Sequence, residues 1–163
     1  FDPPHMGHYE IASYSIKKLK LDHLIWAITK KNPFKNKPIF SLKERTLSSK
    51  KIIKSSKKIK IKSYDNIIKN NKTINLINFL KKKNKNAKLY FIMGADNLEK
   101  FHKWHSWRKI TKLSTIVVFP RHGYTNRSLK CKAYKEIKKE IIIFLNSKIT
   151  NISSSKIRKN YLL

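Results

Sequence analysis

Apolar residues along the chain follow two alternating rhythms, one with the three-to-four spacing of a helix face and one of short continuous runs. Tyr9, Ala12, Ile16 and Leu19 recur at spacings of three and four, which predicts a helix with one buried face. Residues 24–28 form a run of bulky apolar side chains too short for a helix, and predict a buried strand. After a loop with Pro33 and Pro38 comes Ser41-Leu42-Lys43-Glu44, a capping-box sequence whose serine and glutamate each satisfy an exposed backbone donor; it predicts a helix over residues 42–54. Ile59 and Ile61 alternate with lysines, residues 66–72 are polar, and Ile74, Ile77 and Leu80 mark the next helical face. Residues 89–93 are the clearest strand, ended by Gly94. Trp107, Ile110 and Leu113 sketch a helix before a strand at 115–119, halted by Pro120, and residues 141–145 give a last strand. This alternation predicts an α/β domain, a doubly wound parallel sheet wrapped by right-handed crossovers. No repeat or linker interrupts it, so residues 1–163 read as a single domain.

Composition narrows the class. An apolar fraction of 40% suffices for a globule. No stretch approaches the roughly 18 apolar residues that span a bilayer, and the N-terminus lacks a signal-peptide pattern. A lone Cys131 offers neither an internal disulfide nor metal-ligand spacing, which agrees with a soluble protein of the reducing cytoplasm. The net charge of +30 could mark a nucleic-acid partner, but the lysines are spread along the whole chain among many Ile and Asn residues, as A/T-rich codons also produce. Dispersed charge of this kind usually means a solvated face. The chain begins at Phe1 with no strand to launch its first motif, so the first strand of the sheet is expected to be missing.

Three segments could carry chemistry. His5-Met6-Gly7-His8 lies where a loop enters a helix, so free backbone N–H groups and the positive helix end face an incoming anion, and Gly7 permits close approach. The histidines could instead be capping or surface residues; as metal ligands they lack a nearby Cys or carboxylate at a known spacing. Ser153 and Ser154 precede a short helix with Arg158 one turn on, which suits phosphate oxygens or simply a capped, solvated helix. Asp96 follows a strand and a glycine, placed either for a ribose hydroxyl or as N-cap of a segment starting at Asn97. Trp104 and Trp107, three apart, could form one core-facing stripe.

Together these segments carry a resemblance. Phe1-Asp2-Pro3-Pro4-His5-Met6-Gly7-His8 resembles the signature of the adenylyl- and cytidylyltransferase superfamily, and Ile152-Ser153-Ser154-Ser155-Lys156-Ile157-Arg158 resembles its second motif, with Ser155 in place of the usual threonine. Gly94-Ala95-Asp96-Asn97-Leu98, followed by Phe101-His102-Lys103-Trp104 and Trp107, is similar to the bacterial nicotinate-nucleotide adenylyltransferases. The resemblance spans residues 1–158 and implies the Rossmann-like fold of the nucleotidyltransferase superfamily. It further implies adenylyl transfer from ATP to nicotinate mononucleotide in NAD biosynthesis, yielding nicotinate adenine dinucleotide and pyrophosphate.

By the same resemblance His5 and His8 are the catalytic pair, with His8 at the transferred α-phosphoryl. Gly7, Gly94, Asp96, Ser153, Ser154 and Arg158 would bind ATP, Asp96 at the ribose. Lys35, Thr73 and Trp104 would bind nicotinate mononucleotide, the indole of Trp104 stacking on the pyridine ring, although Lys72 replaces the tyrosine that usually precedes Thr73. Magnesium is expected through the ATP phosphates, without a protein ligand. Nicotinamide mononucleotide or phosphopantetheine as acceptor would use the same phosphate chemistry. A basic nucleic-acid-binding protein is the alternative from another class, and a homo-oligomer is compatible with either.

Overall fold

The computed structural model describes residues 1–30, 38–53, 56–68, 72–146 and 152–161. In chain order they form α1 (Met6–Lys18), β1 (Leu24–Ala27), α2 (Leu42–Ile53), β2 (Ile59–Lys62), α3 (Thr73–Lys83), β3 (Tyr90–Gly94) and α4 (Ala95–Lys100). A 3-10 turn at Phe101–Lys103 leads to α5 (Trp107–Leu113), β4 (Thr115–Phe119), α6 (Thr125–Leu129) and α7 (Lys132–Glu136). A second 3-10 turn at Lys139–Ile141 precedes β5 (Ile142–Phe144) and α8 (Ser154–Tyr161). The chain is α/β, and its ladders are parallel. It divides into two compact units, Phe1–Asn71 with Ser147–Leu163, and Lys72–Asn146. No described helix is long and apolar enough to cross a membrane.

In the first unit α1 presents the predicted face: Ala12 is buried, and Tyr9 and Ile16 pack with it against Trp26, Ile28 and Ile59. Ser15 joins that face because its hydroxyl donates to the Ile11 carbonyl at 2.7 Å, so no donor is left unpaired in the core. β1 and β2 run parallel with Leu24 beside Ile59 and Trp26 beside Ile61. The capping box of α2 is formed, the Glu44 N–H donating to Ser41 Oγ at 3.2 Å and the Ser41 N–H to Glu44 Oε2 at 2.7 Å.

In the second unit β4 lies between β3 and β5. Its Ile116, Val117 and Val118 are fully buried, as a continuous apolar run requires when both faces of a strand are covered. Ile74 and Ile77 of α3, Leu98 of α4, Phe101, and Trp107 and Ile110 of α5 close this core.

Among the described residues the ladders are β1–β2 and β3–β4–β5, one in each unit. The structure departs from the sequence-based expectations in two places. α4 begins directly after β3 with Gly94 as its N-cap, so Asp96 is the second helical residue and not the cap. Trp104 and Trp107 share no helical stripe: Trp104 is extended, Ser106 is left-handed at φ 52°, and α5 starts only at Trp107.

Candidate functional site

At the start of α1, His5 is the N-cap and His8 the third helical residue. The His5 N–H donates to His8 Nδ1 at 3.2 Å, while the His8 N–H donates to the His5 carbonyl at 2.9 Å. A histidine thus takes the part that glutamate plays in a capping box. Accepting at Nδ1 assigns the proton of neutral His8 to Nε2, leaving that nitrogen a donor suited to an anion. The two imidazoles lie 3.8 Å apart, His5 is buried, and Phe1 and Trp26 flank His8 at 4.6 and 5.9 Å between ring centroids. Gly7 is buried in the first turn.

α8 brings the second motif to the first. Ser154 Oγ donates to the Pro3 carbonyl at 2.9 Å, and Arg158 Nη1 donates to the Asp2 carbonyl oxygen. Ser153 caps α8 through its Oγ, which accepts the Lys156 N–H at 3.2 Å, and Arg158 Nη2 donates to Ser155 Oγ at 3.0 Å. Neither α1 nor α8 has an acidic residue in its first turn. Two positive helix ends with spare N–H groups are therefore tied together within one unit, an arrangement that favours a polyphosphate.

The second unit carries the middle motif. Gly94 ends β3 opposite Phe119 of β4, so residues two further along each chain fall side by side at the carboxyl end of the sheet. Asp96 and Arg121 occupy those positions and pair at 2.9 Å. The other carboxylate oxygen of Asp96, Oδ1, is buried without a hydrogen-bond partner among the described residues. A Cβ on Gly94 would approach that oxygen to 2.5 Å, which accounts for the glycine. Trp104 stands edge-on to Phe101 and Phe91 with centroids 5.5 and 6.0 Å away and is only partly buried, whereas Trp107 is core. Thr73 opens α3 immediately after its N-cap, Lys72. Lys35 lies outside the described residues.

His5, Gly7, His8, Ser153, Ser154 and Arg158 are thus brought together in the first unit, while Gly94 and Asp96 adjoin in the second, with Thr73 on α3 and Trp104 in the segment before α5. Three residues have partners that the sequence analysis did not assign. Asp2 meets Arg158, and Arg121 meets Asp96. Arg45 is buried and donates to the carbonyls of Thr29, Lys30 and Phe40 at 2.9, 3.2 and 3.0 Å. Its signal was a charge in step with the apolar face, at Leu42, Arg45, Ser49 and Ile52.

Residues 1–160 match the cytidylyltransferase-like family. A protein of Pelagibacter ubique described as a "probable nicotinate-nucleotide adenylyltransferase" is 50% identical over 159 residues, covering 98% of this chain and 88% of its own. One of the same description from Agrobacterium fabrum is 34% identical over 126 residues, 77% of this chain and 67% of its own. Among solved structures, the Plasmodium falciparum nicotinic acid mononucleotide adenylyltransferase complexed with NaAD superposes with a TM-score of 0.73 at 19% identity, covering 98% of this chain and 78% of that one. The same enzyme complexed with APC gives a TM-score of 0.74 at 18% identity, with the same coverage.

Proposed function

This chain belongs to the nicotinate-nucleotide adenylyltransferase family, and on that premise we propose that it transfers the adenylyl group of ATP to nicotinate mononucleotide, giving nicotinate adenine dinucleotide and pyrophosphate. The observation that carries this function is the joining of the α1 and α8 N-termini through Ser154–Pro3 and Arg158–Asp2. One family match across residues 1–160 supports treating the chain as a single nucleotidyltransferase domain. The same proposal places the enzyme in the cytoplasm.

The acceptor's phosphate, with a second pKa of about 6, is already largely dianionic at neutral pH and can attack the α-phosphorus without a general base. What remains for the protein is alignment of two anions and stabilisation of charge on the α-phosphoryl and leaving pyrophosphate. His8 Nε2–H would donate to the α-phosphoryl, with His5 and the N–H groups around Gly7 beside it. Ser153, Ser154 and Arg158 would hold the outer phosphates. Asp96, its approach kept open by Gly94, would accept from the ATP ribose. Trp104 would stack on the pyridine ring, and Thr73 and Lys35 would contact the mononucleotide.

Magnesium is expected to arrive on the ATP phosphates, keeping several of its waters. When bound there it would neutralise charge on the leaving pyrophosphate.

The test is pyrophosphate release by the full chain with ATP, magnesium and one acceptor at a time, products identified by chromatography. Nicotinate mononucleotide should be used best; preference for nicotinamide mononucleotide or phosphopantetheine would reassign the acceptor, and release with none would reject the transferase.

A further inference from the structure

Asp2 stands where three segments of the first unit meet. Its Oδ1 accepts the Phe40 N–H at 3.2 Å and its Oδ2 the Ile39 N–H at 3.3 Å. Oδ2 also faces Nη1 of Arg158 at 3.9 Å, the same nitrogen that donates to the Asp2 carbonyl. Phe40 is gripped from its other side by Arg45, whose Nε donates to the Phe40 carbonyl at 3.0 Å. The backbone of one residue, Phe40, is thereby bracketed between a carboxylate at its N–H and a buried guanidinium at its carbonyl.

We infer that Asp2 is a positioning residue, one that orders Arg158 for the polyphosphate and touches no substrate itself. A carboxylate has the wrong sign for a phosphate ligand, so its place beside two positive helix ends calls for a different role. Two backbone N–H bonds fix the carboxylate, and the fixed charge holds a long side chain that would otherwise sample many rotamers. The pair is more than a surface contact, since the Arg158 and Asp2 side chains are only 23% and 22% exposed. An arginine ordered before the nucleotide arrives loses less freedom on binding it. A guanidinium has five N–H donors, so bonds to Asp2 and Ser155 leave others for phosphate oxygens.

The inference rests on the proposed ATP site, and the test separates the two. A non-hydrolysable ATP analogue with magnesium and no acceptor is titrated calorimetrically into full-length wild type, Asp2→Asn, Arg158→Ala and the double variant. Asparagine keeps the size and one acceptor of Asp2 but removes the charge. Asp2→Asn is expected to weaken analogue binding several-fold, the scale of one partly exposed ion pair, and to add no loss on top of Arg158→Ala. In turnover it should raise the KM for ATP and leave the KM for the mononucleotide unchanged. Wild-type affinity in Asp2→Asn, or additive losses in the double variant, overturns the positioning role. Wild type that binds no analogue overturns the ATP site instead. Should Asp2→Asn not fold, NMR of the Arg158 Nε–H in nucleotide-free wild type decides: a rigid side chain is expected, and a mobile one overturns the inference.

Discussion

Gly94 and Gly123 separate two reasons for having no side chain. Alanine at 94 would put its Cβ 2.5 Å from Asp96 Oδ1 and must push the carboxylate from its place beside Arg121. At Gly123, with φ +77°, a Cβ would meet nothing within 4 Å, so alanine there brings backbone strain and no clash. Gly94→Ala is expected to raise the KM for ATP ~10-fold, and Gly123→Ala to leave KM unchanged while costing about 1 kcal/mol of stability. Initial rates and thermal melts on the same preparations check both; an unchanged KM in Gly94→Ala would remove Asp96 from the nucleotide's contacts. Gly94 and Asp96 stood out in the sequence because a strand, a glycine and an acid follow one another. Arg121 did not, since its partner is 25 positions away and only the β3–β4 register brings the two together. The contacts of Asp2 and Arg45 were silent for a related reason: most of their partners are backbone atoms, which no side-chain pattern announces.

The start of α2 carries its own acid dependence. Hydrogen bonding with Ser41, through its side chain first and its backbone second, holds the Glu44 carboxyl below the ordinary glutamate range. A lowered folded pKa means that the contribution is complete above the unfolded pKa, about 4.3, and is lost as pH falls through the folded value. Glutamine at 44 can make similar capping bonds without titrating. The Tm advantage of wild type over Glu44→Gln should therefore be constant from pH 7 to about 5 and shrink below about pH 4.3; a difference unchanged down to pH 3 would contradict the linkage. This cap, and α2 with it, was legible because Ser-x-x-Glu is a local device, and α1 and α3 were legible because 13 and 11 residues show a helical period. α4, α6 and α7 have only five or six residues, less than two turns, and show none. α7 is further hidden because its cap is the Cys131 sulfur, which accepts the Tyr134 N–H at 3.4 Å where capping preferences look for oxygen.

Ser154 and Pro3 are 151 positions apart, yet their hydrogen bond joins the two phosphate motifs. Order and residue type placed those motifs at the chain's ends; their meeting was implied only by family resemblance, since spacing in sequence does not measure distance in a fold. Charge, by contrast, is legible in full, with 39 Lys and Arg against 9 Asp and Glu, but its consequence belongs to the molecule and not to any motif. Both proposed substrates are anions, so a net charge of +30 attracts them before any specific bond forms. That long-range attraction is screened within about 10 Å at 0.1 M salt, whereas short bonds from His8 or Arg158 to a bound phosphate are screened far less. Raising sodium chloride from about 0.05 to about 0.5 M is thus expected to lower kcat/KM for ATP and for nicotinate mononucleotide several-fold while changing kcat by less than about twofold. Initial-rate measurements at fixed free magnesium check it. A kcat/KM that stays flat with salt would mean that the dispersed lysines solvate the surface and take no part in capture, leaving affinity to the bonds made after contact.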